Sequence, residues 1–412
     1  MQQKRRSPLI LMALTILIDF TGFGLIIPLL PFWAQHLGAN PIGVGAIVTA
    51  YALAQFIFTP VLGGLSDRYG RRPVIVISLL IETISFVLTG LAGSLPMLLV
   101  ARFIGGLGAS NIGSAQAVVA DVTPAAERAK GMGMIGAAIG MGFVIGPALG
   151  GILSPLGPTI PFWTAAGIAL INALLVLFLL PETRSLKQPL VDSETGESRS
   201  LNRFNILWTG WQRAVQLPLV LRLVGVNLLF TIAFTAMETI FPLFSQQKFG
   251  WSSTQNAYLF TYVGFVVVVM QGGLVGRLVK RWNEQKVMFA GLLLLAFGLV
   301  MLAFSNYLAL VLISVGLLSI GDGAISPTIS TLLSFASPAE AQGELLGLAQ
   351  GIAGLGRIIG PLIAGTVDTY SNPGAPLLIG GLLVLLAAFL VLPVLTRIKR
   401  PQDAVLEASR TQ

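Results

Sequence analysis

Apolar residues run along this chain in long unbroken stretches separated by short polar turns, and little of it alternates with the period of two that a barrel strand requires. A helix needs about 20 apolar residues to cross the hydrocarbon core of a bilayer. Twelve stretches approach or exceed that length: 9–35, 42–65, 73–93, 96–119, 130–153, 159–180, 217–245, 252–277, 286–305, 307–333, 343–367 and 374–395. The pattern predicts an all-α integral membrane protein with twelve transmembrane helices. One long polar segment interrupts the series, 181–216, which carries Asp192-Ser193-Glu194-Thr195-Gly196-Glu197. It reads as a flexible linker. The resulting organisation is a six-helix bundle over 1–180, a cytoplasmic linker over 181–216, a second six-helix bundle over 217–396 and a cytoplasmic tail over 397–412.

Composition agrees with this reading. The 412 residues are 55% hydrophobic and 10% charged, whereas soluble domains carry about a quarter of their residues as charged ones. Lys4, Arg5 and Arg6 precede an apolar run that continues to about Trp33, too long for a cleaved signal segment, so an uncleaved first span is expected. In a soluble protein the net charge of +8 would suggest nucleic acid; here its distribution assigns topology instead. Of 25 basic residues, 21 fall in the tails and in every second loop, one (Lys248) in the opposite loops, and three within spans. Lys and Arg are retained on the cytoplasmic side, which predicts a multi-pass cell-membrane protein (inner or plasma membrane) with both termini in the cytoplasm. The chain has no cysteine, and His36, its single histidine, has no acid or histidine cluster beside it. No metal site and no cofactor are expected.

Six charges lie deep in the predicted spans: Asp19, Glu82, Arg102, Glu238, Asp322 and Arg357. An ionisable group in hydrocarbon is costly and normally faces a water-filled cavity or a partner. A carboxyl group that is neutral in one conformation and ionised in another is what a proton carrier requires; fixed structural pairing is the other reading of each. Arg357 could hold a carboxylate, meet an anionic substrate or snorkel to the surface, and Arg222 reads as an interface anchor. Tyr51, Gln55, Asn111, Gln116, Asn227, Phe234, Phe241, Tyr258 and Tyr262 could line a pocket for greasy cations.

The loop after span two reads Gly63-Gly64-Leu65-Ser66-Asp67-Arg68-Tyr69-Gly70-Arg71-Arg72-Pro73. Span five holds Gly142, Gly146 and Gly150 on one face, with Pro147 removing a backbone donor. Span eleven carries a near copy around Gly356, Gly360, Pro361 and Gly365. Span one contains Asp19-Phe20-Thr21-Gly22-Phe23-Gly24, and span four runs from Arg102-Phe103-Ile104-Gly105-Gly106 to Asp121-Val122-Thr123-Pro124, with Arg128 beyond. On these segments the chain resembles the major facilitator superfamily, and within it the bacterial tetracycline and multidrug antiporters. That resemblance implies two six-helix bundles related by pseudo-two-fold symmetry. Asp67, Arg68, Gly70 and Arg71, in the same small-residue turn as Gly64, match the family's inner-loop signature; in the second half Gly276 stands where the acid would be.

The resemblance also implies roles. Asp121 and Arg128 would complete the inner end of span four, and Arg102 is at the arginine position implicated in proton coupling. The glycine and proline positions of span five would help seal the outward pathway. Glu238 lies in a segment similar to span seven of Gram-positive multidrug exporters, and Asp322 stands five residues before Pro327, one position off their pattern. The tetracycline exporters' acid in span three falls at Ser85, with Glu82 one turn earlier. The expected function is proton-coupled export of hydrophobic or cationic drug-like compounds, by a monomer working with protons, substrate and membrane lipids. A lipid or glycolipid flippase, a sugar or metabolite carrier of the same superfamily, and a receptor or structural membrane protein that no longer transports are the other readings. No His-Glu-x-x-His, Gly-x-Ser-x-Gly or nucleotide-binding glycine loop occurs, so neither an enzyme nor direct use of ATP is expected.

Overall fold

The structure, a computed structural model, describes residues 2–124, 127–183 and 203–397. In chain order the helices are α1 (Gln2–Ile26), α2 (Leu30–His36), α3 (Pro41–Tyr69), α4 (Arg71–Gly90), α5 (Leu95–Gly108), α6 (Ile112–Val122), α7 (Arg128–Leu153), α8 (Ile160–Leu179) and α9 (Arg203–Gln216). They continue as α10 (Pro218–Phe249), α11 (Ser253–Val269), α12 (Val275–Trp282), α13 (Glu284–Ala303), α14 (Leu308–Ala336), α15 (Gln342–Tyr370), α16 (Ala375–Val391) and the short α17 (Val394–Arg397). No strand occurs among the described residues. Eleven helical segments are long and apolar enough to cross a membrane, and α16 is a twelfth apolar helix of 17 residues.

The boundaries follow local chemistry. The first predicted span, 9–35, is not one helix: α1 stops at Ile26 and α2 restarts at Leu30. Pro28 and Pro31 lack the amide that would continue the ladder, and Leu29 closes a tight turn onto the Ile26 carbonyl at 3.0 Å. Asn40 caps α3 by accepting from the Gly43 amide at 2.8 Å, with Pro41 at the first helical position. Gly70, at φ 104°, separates α3 from α4 in a conformation that favours glycine. Between α11 and α12 the ladder widens into one π turn over Met270–Leu274. Within the segment 181–216, Arg203–Gln216 form α9; residues 184–202 and the predicted tail beyond Arg397 lie outside the described residues.

The chain falls into two compact units. The first comprises Met1–Asn202, Glu238–Val268 and Pro361–Pro373. In it α1 packs on α7 and α8, α4 on α8 and α5, and α3 on α5, around a core that includes Met12, Ile16, Leu79, Val118, Ile135 and Val176. The second comprises Arg203–Met237, Val269–Gly360 and Gly374–Gln412, where α13 lies between α14 and α16. Large apolar side chains such as Phe178, Leu382 and Phe389 are exposed, which lipid tolerates and water does not. Since lipid is as apolar as leucine, helix association in such a protein relies on close packing and interhelical hydrogen bonds.

Candidate functional site

A polar cluster lies where α1, α4 and α5 meet, with Glu82 and Arg102 buried and Asp19 half-buried. Glycines make the approach possible: a Cβ on Gly108 would stand 2.8 Å from the Glu82 amide, one on Gly105 2.5 Å from Ser85 Oγ, and one on Gly106 would overlap the Tyr51 carbonyl. Arg102 is thereby drawn inside. One of its Nη atoms donates to Ser85 Oγ at 2.9 Å and to Thr89 Oγ1 at 3.2 Å, and its guanidinium lies 5.7 Å from the Tyr51 and Phe86 rings. The Asp19 carboxyl is within hydrogen-bonding reach of the Glu82 carboxyl and the Asn111 side chain. Among the described residues Asp19 Oδ1, Glu82 Oε2 and Arg102 Nε have no hydrogen-bond partner. Such a cluster is costly to leave incomplete. Because the Gly106 overlap is with backbone, Gly106→Val is expected to lower the thermal unfolding midpoint of the detergent-solubilised protein, at a cost of about 1–3 kcal/mol or more.

The glycine face of α7 is pressed against the helix that carries Asp19. Cβ atoms on Gly142, Gly146 and Gly150 would come within 2.6–2.8 Å of Phe20, Thr21 and Leu25, and Pro147 sits 3.2 Å from where a Gly24 Cβ would be. The copy in α15 repeats this on α10: Gly356 abuts Thr231, and Gly360 meets Thr235 and Ile232. Both glycine–proline segments therefore do the same packing work.

At the junction of α3 and α4, Arg71 forms ion pairs with Asp67 at 2.8 Å and Asp121 at 3.2 Å and donates to Ser66 Oγ at 3.2 Å. Glu182, which the sequence reading did not single out, accepts from the backbone amides of Arg71 at 2.9 Å and Arg72 at 3.1 Å. A carboxylate there satisfies orphan donors and complements the helix dipole. A Cβ on Gly70 would stand 2.5 Å from that carboxylate, so the glycine serves both the turn and the cap. Arg72 also donates to the Leu177 carbonyl. Arg68 lies over the Tyr69 ring at 5.3 Å, and Gly64 has open space beside it. The side chain of Arg128 lies outside the described residues.

At the other end of the first unit, helices cross at further glycines. A Cβ on Gly45 of α3 would run into the Pro361 carbonyl of α15, and one on Gly365 into the Pro41 carbonyl. Gly264 of α11 meets the Phe143 carbonyl of α7 in the same way, Gly151 meets Tyr258, and Ser154 and Thr254 share a 2.7 Å hydrogen bond. Glycine itself was visible in the sequence, but nothing local assigns Gly45 and Gly365 to one crossing.

The remaining candidates are spread over α3, α6, α10, α11, α14 and α15. Gln55 and Asn227 donate to the Ala109 and Ala349 carbonyls at 3.2 and 2.9 Å. Phe241 is buried among Phe244, Trp251 and Phe260, Phe234 packs on Phe230, and Tyr51 stacks on Phe23. Gln116 is exposed, Tyr258 lies against Gly151, and Tyr262 is half-buried. Glu238 and Asp322 are half-buried on α10 and α14, while Arg357 is exposed on α15. Among the described residues no group of three or more His, Cys, Asp or Glu could hold a metal ion.

Comparison with known proteins places this geometry among transporters. The family model for the Major Facilitator Superfamily matches residues 12–286 and 272–411. The chain is 31% identical to the class B tetracycline resistance protein of Escherichia coli, over 87% of each chain. It is 32% identical to multidrug resistance protein 2 of Bacillus subtilis (strain 168), over 88% of this chain and 89% of that one. Among solved structures, the human organic anion transporter MFSD10 (TETRAN) is similar with a TM-score of 0.71 at 25% identity, covering 94% of this chain and 99% of that one.

Proposed function

The chain belongs to the major facilitator superfamily, and on that premise we propose that it is a secondary active exporter that moves hydrophobic or cationic drug-like compounds outward in exchange for protons. The observation that carries this reading is the approach of the half-buried Asp19 to the buried Glu82, with Arg102 beside them. At such an approach a hydrogen bond between the two carboxyl groups would require a proton on one of them, because an ionised carboxylate only accepts. The pair is thus a place to carry one removable proton inside the first unit. The unpartnered Arg102 Nε is a donor able to replace that proton as the counter-charge when the helices shift.

The relatives named for tetracycline and multidrug resistance support export of drug-like compounds. The Lys and Arg bias of the loops supports a cell-membrane orientation in which the Asp67–Arg71–Asp121 network faces the cytoplasm and the Gly45–Gly365 crossing faces outward. The two halves of a monomer would expose a central site to each side in turn. Glu238, Asp322 and Arg357 would supply coupling groups of the second half, and the aromatic and amide candidates would line the path of the substrate.

The test is substrate-induced proton movement in proteoliposomes, screened over lipophilic cations and tetracyclines. Wild type is expected to release protons on addition of one such drug, and Glu238→Gln and Asp322→Asn to lose that release. Lipid movement across the bilayer with no proton response to any drug would overturn the exporter reading.

A further inference from the structure

Asp368 lies near the end of α15, three residues past Gly365 and on the same helix face. Gly365 is where α15 touches the Pro41 carbonyl at the start of α3. The aspartate is 6% exposed, and neither carboxyl oxygen has a well-formed hydrogen bond or an ion pair among the described residues. The Gln247 side chain of α10 lies beside it, within reach as a weak donor. Other charged or titratable groups on the surrounding elements are few. Lys248 of α10 lies 5.2 Å from the Phe244 ring, His36 at the end of α2 is stacked on Trp33, and Tyr370 on α15 is exposed. None of them forms an ion pair with Asp368 among the described residues.

An ionised carboxylate at that position would have almost no water and no cation, with only the neutral Gln247 amide within reach, an expensive way to bury a charge. A neutral carboxylic acid would fit the same space at far lower cost. Separation of α15 from α3 would wet the group and let it ionise. We propose that Asp368 is a proton-binding site of the α3–α15 crossing, which must hold a proton for the crossing to close and gives it to water when the crossing opens. Protons arriving at this end would then favour closure directly, in addition to loading the Asp19–Glu82 pair. The orientation of this end rests on the proposed topology; the linkage between protonation and closure does not.

The native chain has no cysteine and one histidine, so spin labels on His36→Cys and Ser371→Cys report on this crossing and remove the histidine titration together. Their separation would be measured in lipid nanodiscs from pH 5 to pH 9, with no drug present. One proton released on opening raises the open-to-closed ratio by up to about tenfold per pH unit. In Asp368→Asn that slope is expected to fall by about one proton, with the short distance kept at high pH. Asp368→Leu should do the same, and it serves where the asparagine variant does not fold. A slope equal to the parent's in a folded variant, or a parent that does not respond to pH, would overturn the proposal. Drug-triggered proton release measured on the same samples separates the two readings, since its absence would sink the exporter and leave this linkage standing.

Discussion

Asp19→Asn is expected to uncouple export from the proton gradient while leaving drug binding within a few-fold of wild type. A pH difference of one unit is worth about 1.4 kcal/mol per proton, so a one-for-one exchanger sustains up to about a tenfold drug gradient from it. Without a removable proton on the pair that gradient has no hold on the cycle, and the accumulated ratio should fall to about one. Glu82→Gln should fail as well, for a different reason. Its amide can donate to Asp19 at the existing approach, which stabilises an ionised Asp19 with no proton between the two. The double variant should then be no worse than either single one, because partners in one network are not additive. The measurement is drug efflux driven by an imposed pH gradient in proteoliposomes, beside equilibrium drug binding. Full coupling in Asp19→Asn would mean that the pair is structural and that the protons travel elsewhere.

The number of spans was legible because length and apolarity alone decide whether a helix can cross lipid. Their ends were less so. The break at Ile27–Leu29 depends on two prolines acting together, and α9 occupies a segment whose polar composition reads as linker. At the site, single residues were visible but pairings were not. Glu82 stands one turn before the position where a tetracycline exporter's acid would fall, and the structure gives the difference a physical sense. Ser85 Oγ donates to the Ala101 carbonyl at 2.7 Å and accepts from Arg102, whereas Glu82 reaches Asp19 on another helix. Which face of α4 meets α1 is a tertiary fact that no local spacing encodes. Glu182 was missed for a related reason: its partners are backbone amides exposed by the turn at Gly70, and a lone acid after a proline carries no mark of that.

The second large effect is expected at the α3–α15 crossing. A Cβ at Gly365 or Gly45 meets a backbone carbonyl rather than a flexible side chain, so no rotamer change can relieve it and the helices must part. Overpacking of this kind costs about 1–3 kcal/mol, which moves a two-state equilibrium by roughly 5- to 150-fold. Gly365→Leu should therefore hold this end apart and reduce transport to background, with the polar cluster around Arg102 untouched. Gly167→Ala, where the added atom would meet nothing within 4 Å, is the matched control. The readout beside transport is the labelling rate of Ser154→Cys by a membrane-impermeant maleimide, in a chain with no other thiol. Ser154 is part-buried against Thr254 at the neighbouring crossing, so its thiol should react slowly in the parent and the control, and faster in Gly365→Leu. Wild-type transport with a protected thiol would show that the chain can work without this close approach. The glycines would then matter only for packing, and the proton held at Asp368 would have no closure to control.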